Sequence, residues 1–435
     1  MEQYRTKEQE SVSKREIGGT TVSTAAEEIE IKKPPRDLCL ARQPIFDASM
    51  IVYAYELLHS PPGRDSEQDI DPSASSAQVL INAFLDIDIE DVSNNLPSFI
   101  SVSRDFLVRR LPLPFPPQSL VLEIPASIEI DIALLEGLRF FAEEGFKLAL
   151  TGFRFEQQPC RLLGMVDYVK IDVSGYTPQE LLAGVGKLPG KGLILIAQQV
   201  ETKAVFQQCH DVGFKFFQGS FISKPEVMSG NVLKPNRLAV LKMLKLLEDP
   251  NSSFSMLEEI ISQDVTLSYK ILRIINSAYY GFRRKIESVK QAVVALGLKV
   301  IRNWFILISL TDIDDKPQEL MQLTLLRARM MQSLTNAMGL NKDTGFTIGL
   351  FSSIDAIMDQ PMAEILEKLP LSEEISEALL HREGIFGQML NIVLHYEKGD
   401  WAFIKSSGFE MSELSTFYFE AMYWSRGLIE QIKSG

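Results

Sequence analysis

The chain has 435 residues, 46% hydrophobic and 23% charged, with a formal net charge of −13; that suits two or three domains better than one. The acidic balance argues against a general nucleic-acid binder, because phosphate neutralisation needs surplus Lys and Arg, and leaves room only for a local basic pocket. No apolar run approaches the roughly 20 residues that span a bilayer, and three cysteines without a CxxC pair fit reduced thiols in a cytoplasmic protein.

Residues 1–36 lack the apolar stretch of a secretory signal, and their mixed charges, Ser, Thr and Gly predict a disordered tail. Short apolar, β-rich runs then recur at 37–46, 51–58, 98–103, 119–125, 146–150, 167–174, 192–197 and 214–219. Amphipathic helical patterns such as "IALLEGLRFFAEEGF" (132–146) separate the later ones. Alternation at this spacing means βα units and a parallel sheet, and eight strands suggest closure. Between Phe46 and Ile51 only "DASM" intervenes, too short for a crossover helix, so the first two strands form an antiparallel hairpin. The expectation is an irregular TIM-type (β/α)8 barrel over 37–226.

Near residue 230 the pattern changes. "KPEVMSGNVLKPNR" carries the breakers Pro225, Gly230 and Pro235, and from about 232 the apolar period becomes 3.6. "RLAVLKMLKLLED", "LSYKILRIINSAYYG", "KQAVVALGLKVIRNWFILISL" and "MSELSTFYFEAMYWSRGLIEQIK" all read as helices, and Trp304, Trp401 and Trp424 all fall here. An all-helical domain over 227–435 follows the α/β barrel.

In a parallel barrel, residues at the C-terminal ends of the strands do the chemistry. Glu56, Glu123, the Lys170 and Asp172 pair, Glu201 and Gln218 stand where apolar runs stop. Acids with a lysine at one rim suit a divalent cation and a phosphate, but spacing alone does not separate this from the polar rim any parallel barrel collects.

Residues 39–225 resemble the EAL domain, the barrel that hydrolyses the bacterial second messenger cyclic di-GMP. "YELL" matches the motif that names the family, with Glu56 as its glutamate; "VLEI" matches ExTE through Glu123; "KID" is intact at Lys170 to Asp172. "IAQQVET" and "FFQGSFISKP" match the AEGVET and QGxxxxxP motifs, carrying Glu201 and Gln218. "ARQPIFD…YELL" with a helical domain behind it resembles the EAL–HDOD subgroup in particular. The resemblance also exposes losses. Ser101 stands at the family's Asn ligand, Thr151 and Gly152 at its metal-bridging aspartates, and Gln198 at the glutamate assigned as base. Ala126 replaces the second ExTE glutamate, and Ser60 the ligand-clamping Arg. A hydroxyl and a glycine supply no anionic oxygen to hold two ions about 3.5–4 Å apart. A glutamine cannot take water's proton, a roughly 10²–10⁴-fold contribution. No hydrolysis, no metal and no cofactor are expected; Gln218, Lys170 and Glu201 remain as candidate nucleotide contacts, with weak binding or none both open.

Two other leads follow. His210-Asp211 is the chain's only His-Asp dipeptide, but it falls on the barrel's last predicted helix without a second histidine nearby, which favours a surface pair. Residues 232–435 resemble the HDOD domain, a helical relative of HD hydrolases, through "IINSAYYG" and "VVALGLKVIRNW". There Ser352 and Ser353 of "GLFSSIDAI" stand where the metal-binding His-Asp would be, and His381 and His395, 14 residues apart, do not form an i, i+4 ligand pair. The resemblance implies a signalling module that binds other proteins; the aromatic and basic residues of "LRIINSAYYGFRRKI" suit a contact surface, although a solvated turn explains them equally. Three functions are carried forward: a non-catalytic signalling protein gated by cyclic di-GMP, a phosphodiesterase with unusual ligands, and a scaffold that ignores the nucleotide. Oligomeric state is not readable.

Overall fold

The computed structural model describes residues 39–60, 89–157, 160–189, 192–225, 271–276, 280, 282, 286–297, 300–301, 303–305, 308, 316–369 and 371–433. The tail at 1–36, the helix expected at 237–249 and the basic trio Arg283 to Lys285 lie outside the described residues.

Eight strands close a barrel in chain order: β1 (Cys39–Phe46), β2 (Val52–Ser60), β3 (Ser98–Ser101), β4 (Leu120–Pro125), β5 (Lys147–Thr151), β6 (Tyr168–Asp172), β7 (Ile194–Gln198) and β8 (Phe216–Phe217). The β1–β2 pair is antiparallel, as the short connection requires, and β2 through β8 run parallel. Phe46 of β1 pairs antiparallel with Phe217 to close the ring. Every strand donates one side chain to an interior floor, namely Ile45, Ala54, Phe99, Val121, Ala149, Tyr168, Ile196 and Phe216, all buried. Because side chains alternate along a strand, the next inward positions toward the parallel strands' C-terminal ends include Glu56, Glu123, Lys170, Gln198 and Gln218. That layer is the barrel mouth.

The helices that cover the barrel are fixed by local signals. Asp131, Thr177 and Thr202 each accept a hydrogen bond from the backbone three residues on, starting Ile132–Glu143, Pro178–Val185 and Lys203–Val212. Thr177 and Glu180 form a reciprocal capping box. Each helix turns an apolar stripe inward, the first through Leu134, Leu138 and Phe141.

The second half is helical wherever it is described, with Gln318–Ala337, Lys342–Phe351, Gly384–Glu397 and Met411–Lys433 its main helices. The segment read as one helix from 290 to 310 breaks instead. Val289–Leu296 ends at Gly297, whose φ of 85° lies in the left-handed region. Glycine reaches that conformation at no steric cost, and a helix stops there.

The two halves share one apolar core through the outer face of the hairpin. Tyr396 donates to the Leu40 carbonyl at 3.3 Å, and the Arg42 backbone N–H donates to the Tyr418 hydroxyl at 3.1 Å. Tyr55 donates to Glu319 at 3.0 Å. Arg426 reaches the Asp91 carbonyl at 3.1 Å.

Candidate functional site at the barrel mouth

Lys170 is the centre of the mouth. Its side chain is wholly buried, with Nζ 2.8 Å from Glu56 Oε2 and 2.7 Å from Glu123 Oε1. The Phe99 ring lies 5.6 Å below the ammonium. Burial penalises this charge, but the two carboxylates outweigh it and hold the lysine pKa above its ordinary value. The acids respond in opposite directions. Burial followed by repulsion from Glu56 pushes Glu123 up to about 7. Burial acts the same way on Glu56, yet Lys170 and hydrogen bonds from Lys170 and Gln218 overcome it and leave its pKa lowered.

Around this triad lies a ring of amides and hydroxyls. Gln218 Nε2 donates to Gln43 Oε1 at 3.0 Å and also to Glu56 Oε2. Gln198 Nε2 donates to Gln218 Oε1 at 3.4 Å, and Ser101 Oγ donates to Glu123 Oε2 at 3.4 Å. Gln43, which the sequence reading missed, faces Glu56 across the β1–β2 register. Its place two residues before inward-facing Ile45 was the available signal.

The remaining sequence candidates are not in this cluster. Asp172 is exposed, and its Oδ1 accepts from the Ser174 N–H at 3.0 Å and from Ser174 Oγ at 2.7 Å, bracing the turn after β6. Glu201 is exposed and pairs with Lys224 at 2.8 Å. That hydrogen bond and charge, with Lys398 of the helical half, lower its pKa. Thr151 ends β5 half-buried, and its carbonyl accepts from the Ala126 N–H at 2.8 Å. Gly152 follows with φ of 68° and no atom within 4 Å of where a Cβ would stand. The chain turns away there and leaves space.

A two-metal centre does not fit these residues. Both buried carboxylates are already engaged by one tethered ammonium, and positions 101, 151, 152 and 198 bring no anionic oxygen. Among the described residues no group of three or more His, Cys, Asp or Glu side chains could hold a metal ion.

The helical half repeats the theme. Arg327 meets Glu397 through Nε at 2.9 and 3.0 Å and through Nη2 at 2.9 Å, while its Nη1 donates to Ser353 Oγ at 2.9 Å. All three residues are buried. Ser352 Oγ donates to the Gly349 carbonyl at 2.7 Å. A guanidinium thus fills the position beside the two serines. His210 and Asp211 sit exposed on Lys203–Val212 with 3.6 Å between Nδ1 and Oδ1. His395 Nδ1 lies 2.9 Å from Asp400 Oδ2, with the imidazole stacked on Phe403 at 3.8 Å.

Fold and site together define a barrel of the phosphodiesterase type in degenerate form, joined to a helical domain. The EAL-domain family model matches residues 75–225 and the HDOD-domain family model matches 235–383. The chain is 31% identical over 407 residues to the uncharacterized protein YuxH of Bacillus subtilis, covering 90% of this chain and 98% of that protein. It is 30% identical over 403 residues to the cyclic di-GMP phosphodiesterase CdgJ of Vibrio cholerae, covering 89% of this chain and 92% of the relative. The chain belongs to this EAL–HDOD family of bacterial signalling proteins. Among solved structures, the FimX EAL domain from Pseudomonas aeruginosa bound to c-di-GMP is similar at 19% identity and a TM-score of 0.33, over 43% of this chain and 89% of that one. No described helix is long and apolar enough to cross a membrane.

Proposed function

We propose that this protein is a non-catalytic signal-transduction protein that acts by binding other proteins, with the barrel mouth as a receptor site for cyclic di-GMP. The observation that carries the first part is the lack of anionic oxygen at Ser101, Thr151, Gly152 and Gln198 beside Glu56 and Glu123. Two-metal hydrolysis needs carboxylates that bridge and clamp both ions, and Thr151 and Gly152 supply none. The receptor part is supported by Gln218, Lys170 and Glu201 at positions that match the family's motifs. It faces a stated cost, because Gln218 already spends its amide on Gln43 and Glu56, so a nucleotide must break those bonds to enter. Binding is therefore weak and independent of divalent metal. The helical half supplies the protein-binding surface, in keeping with the HDOD resemblance, and the domains divide near residue 226.

A phosphodiesterase remains the competing reading, favoured by the 30% identity to a relative that bears that name. Incubation of the full chain with cyclic di-GMP and Mg²⁺ or Mn²⁺ separates the two. The expected result is no linear dinucleotide; turnover abolished by Glu56→Ala would overturn the assignment. Calorimetric titration without metal then tests the receptor. Micromolar heat lost in Gln218→Ala supports it, and no heat leaves a scaffold that ignores the nucleotide.

A further inference from the structure

Among the described residues, the hairpin β1–β2 faces the barrel mouth on one side and the helical half on the other. On its inner face, Gln43 and Glu56 stand opposite one another and both accept hydrogen bonds from Gln218. One residue away on each strand, Arg42 and Tyr55 point outward, as strand alternation requires. Both are buried, and both are held by the helical half.

That outer contact carries a polar network within the shared apolar core. Tyr55 donates to Glu319 at 3.0 Å while Asn94 donates to Tyr55 at 3.4 Å. The Arg42 guanidinium lies 4.3 Å above the Tyr55 ring and donates to the Val92 carbonyl. Gln322, with its amide turned to suit, donates to Glu319 and accepts from Arg42. Tyr418 accepts from the Arg42 backbone, and Tyr396, 5.0 Å from the Tyr418 ring, donates to Leu40. Gly399 of the next turn lies against Leu58 of β2. The same turn places Lys398 where its charge acts on Glu201 at the mouth's rim.

We propose that this hairpin couples the barrel mouth to the helical domain, so that a change in the hydrogen bonding of Gln43, Glu56 and Gln218 is delivered to Glu319, Tyr396 and Tyr418. The two sets share a backbone, and hydrogen bonds lose strength steeply with angle and length. Arg42, Tyr55 and Glu319 are buried, and a buried polar group is costly to leave unpaired. A shift of the hairpin toward or away from Gln218 therefore selects between a made and a broken junction. Coupling is reciprocal: a partner that grips the helical domain alters the mouth by the same factor, about 5- to 150-fold for couplings of ordinary size.

All the chain's tryptophans lie in the helical half, and Trp401 stands edge-on to Tyr396 at 5.2 Å. Tryptophan emission therefore reports the helical side alone. The test uses the full chain without ligand, comparing wild type with Gln218→Ala and, in case that variant is poorly folded, Glu56→Gln. Hydrogen exchange over 318–326 and 414–422 should accelerate at least fivefold, with a shift in emission that is absent from Trp401→Phe. In Tyr55→Phe combined with Glu319→Gln, the same mouth substitutions should alter barrel peptides only. Changes confined to the barrel in the intact junction, or unaltered transfer through the broken one, would overturn the proposal. Cyclic di-GMP that binds without moving these peptides also overturns it. A nucleotide that does not bind refutes the receptor reading alone, and the substitutions then decide the coupling.

Discussion

Replacing Lys170 by methionine removes the cation from the mouth and keeps the shape of the side chain. At 2.7 and 2.8 Å, and with an effective dielectric constant near 20, each ion pair is worth roughly 6 kcal/mol before desolvation. Several kcal/mol per ion are spent on removing the groups from water, so the measurable loss should match that for breaking a buried pair, about 3–5 kcal/mol. The variant has an escape, which is to fold with Glu56 protonated. Neutralising an ordinary carboxyl costs about 1.4 kcal/mol per pH unit above a pKa near 4.3, hence roughly 1.6 kcal/mol at pH 5.5 and nearly 6 at pH 8.5. Glu123, already raised to about 7, holds its proton at pH 5.5 in both proteins. The sign follows from linkage. Between the unfolded and the raised folded pKa the native state binds a proton that the unfolded state has released, so stability falls as pH rises through that window. With its lysine gone, Glu56 joins Glu123 in this behaviour. The K170M variant should lose about 2 kcal/mol at pH 5.5 and about 5 kcal/mol at pH 8.5, or roughly 5 °C and 10–20 °C in the barrel's calorimetric transition. K170M combined with E56Q and E123Q should recover most of the loss at the higher pH. A penalty that is the same at both pH values would refute this protonation argument, because it would mean the triad contributes only packing.

In the helical half, Arg327→Met strands the buried Glu397 carboxylate and should cost about 3–5 kcal/mol in urea unfolding; adding Glu397→Met should restore much of it, and an additive double variant would show that the pair is not coupled. Gly219→Ala tests how tightly the end of β8 is held, since a Cβ there would lie 2.1 Å from the Val200 carbonyl oxygen. Backbone cannot give way as a flexible side chain can, so the cost should reach at least the roughly 1–3 kcal/mol of an overpacked core. Calorimetric stability unchanged by the added methyl would contradict this account of the turn that presents Gln218.

The barrel was legible because two periodicities switch along the chain and one connection is too short for a crossover. The mouth was legible only in part. Glu56, Glu123, Lys170 and Gln218 converge because each occupies an inward position of a strand, and strand direction is a local property. Asp172 and Glu201 lie at or past the last paired residue, where a turn decides the side chain's direction. Asp172 folds back onto Ser174, and Glu201 comes two residues after Gln199, whose φ is 58°. Nothing in a period of two anticipates either. The interface escaped entirely, since Arg42 and Tyr418 are separated by 376 residues and Tyr55 and Glu319 by 264. Its one available signal was the charge itself: Arg42 sits in "CLARQPIF" and Glu319 stands beside Leu320 and Met321 at the start of its helix, and a charge in such company is buried only with a partner.

The same pairing of a buried cation with buried acids occurs in both halves of this chain. In the barrel a lysine, and in the helical half an arginine, supply the positive charge that faces the buried acids. A bound ion can be exchanged and can polarise a substrate. A tethered ammonium or guanidinium can do neither, but it holds its acids in place without any external supply. Lys170 and Arg327 therefore trade reactivity for a fixed arrangement of side chains, and a fixed arrangement is what transmission across a domain boundary needs. Glu56 illustrates the point, being fixed from one side by Lys170 and Gln218 while its neighbour Tyr55 is fixed from the other by Glu319. Were the mouth organised by an exchangeable ion, the hairpin's position would follow the metal supply; with Glu56 held by Lys170 and Gln218, the hairpin answers to what binds at the mouth or grips the helices.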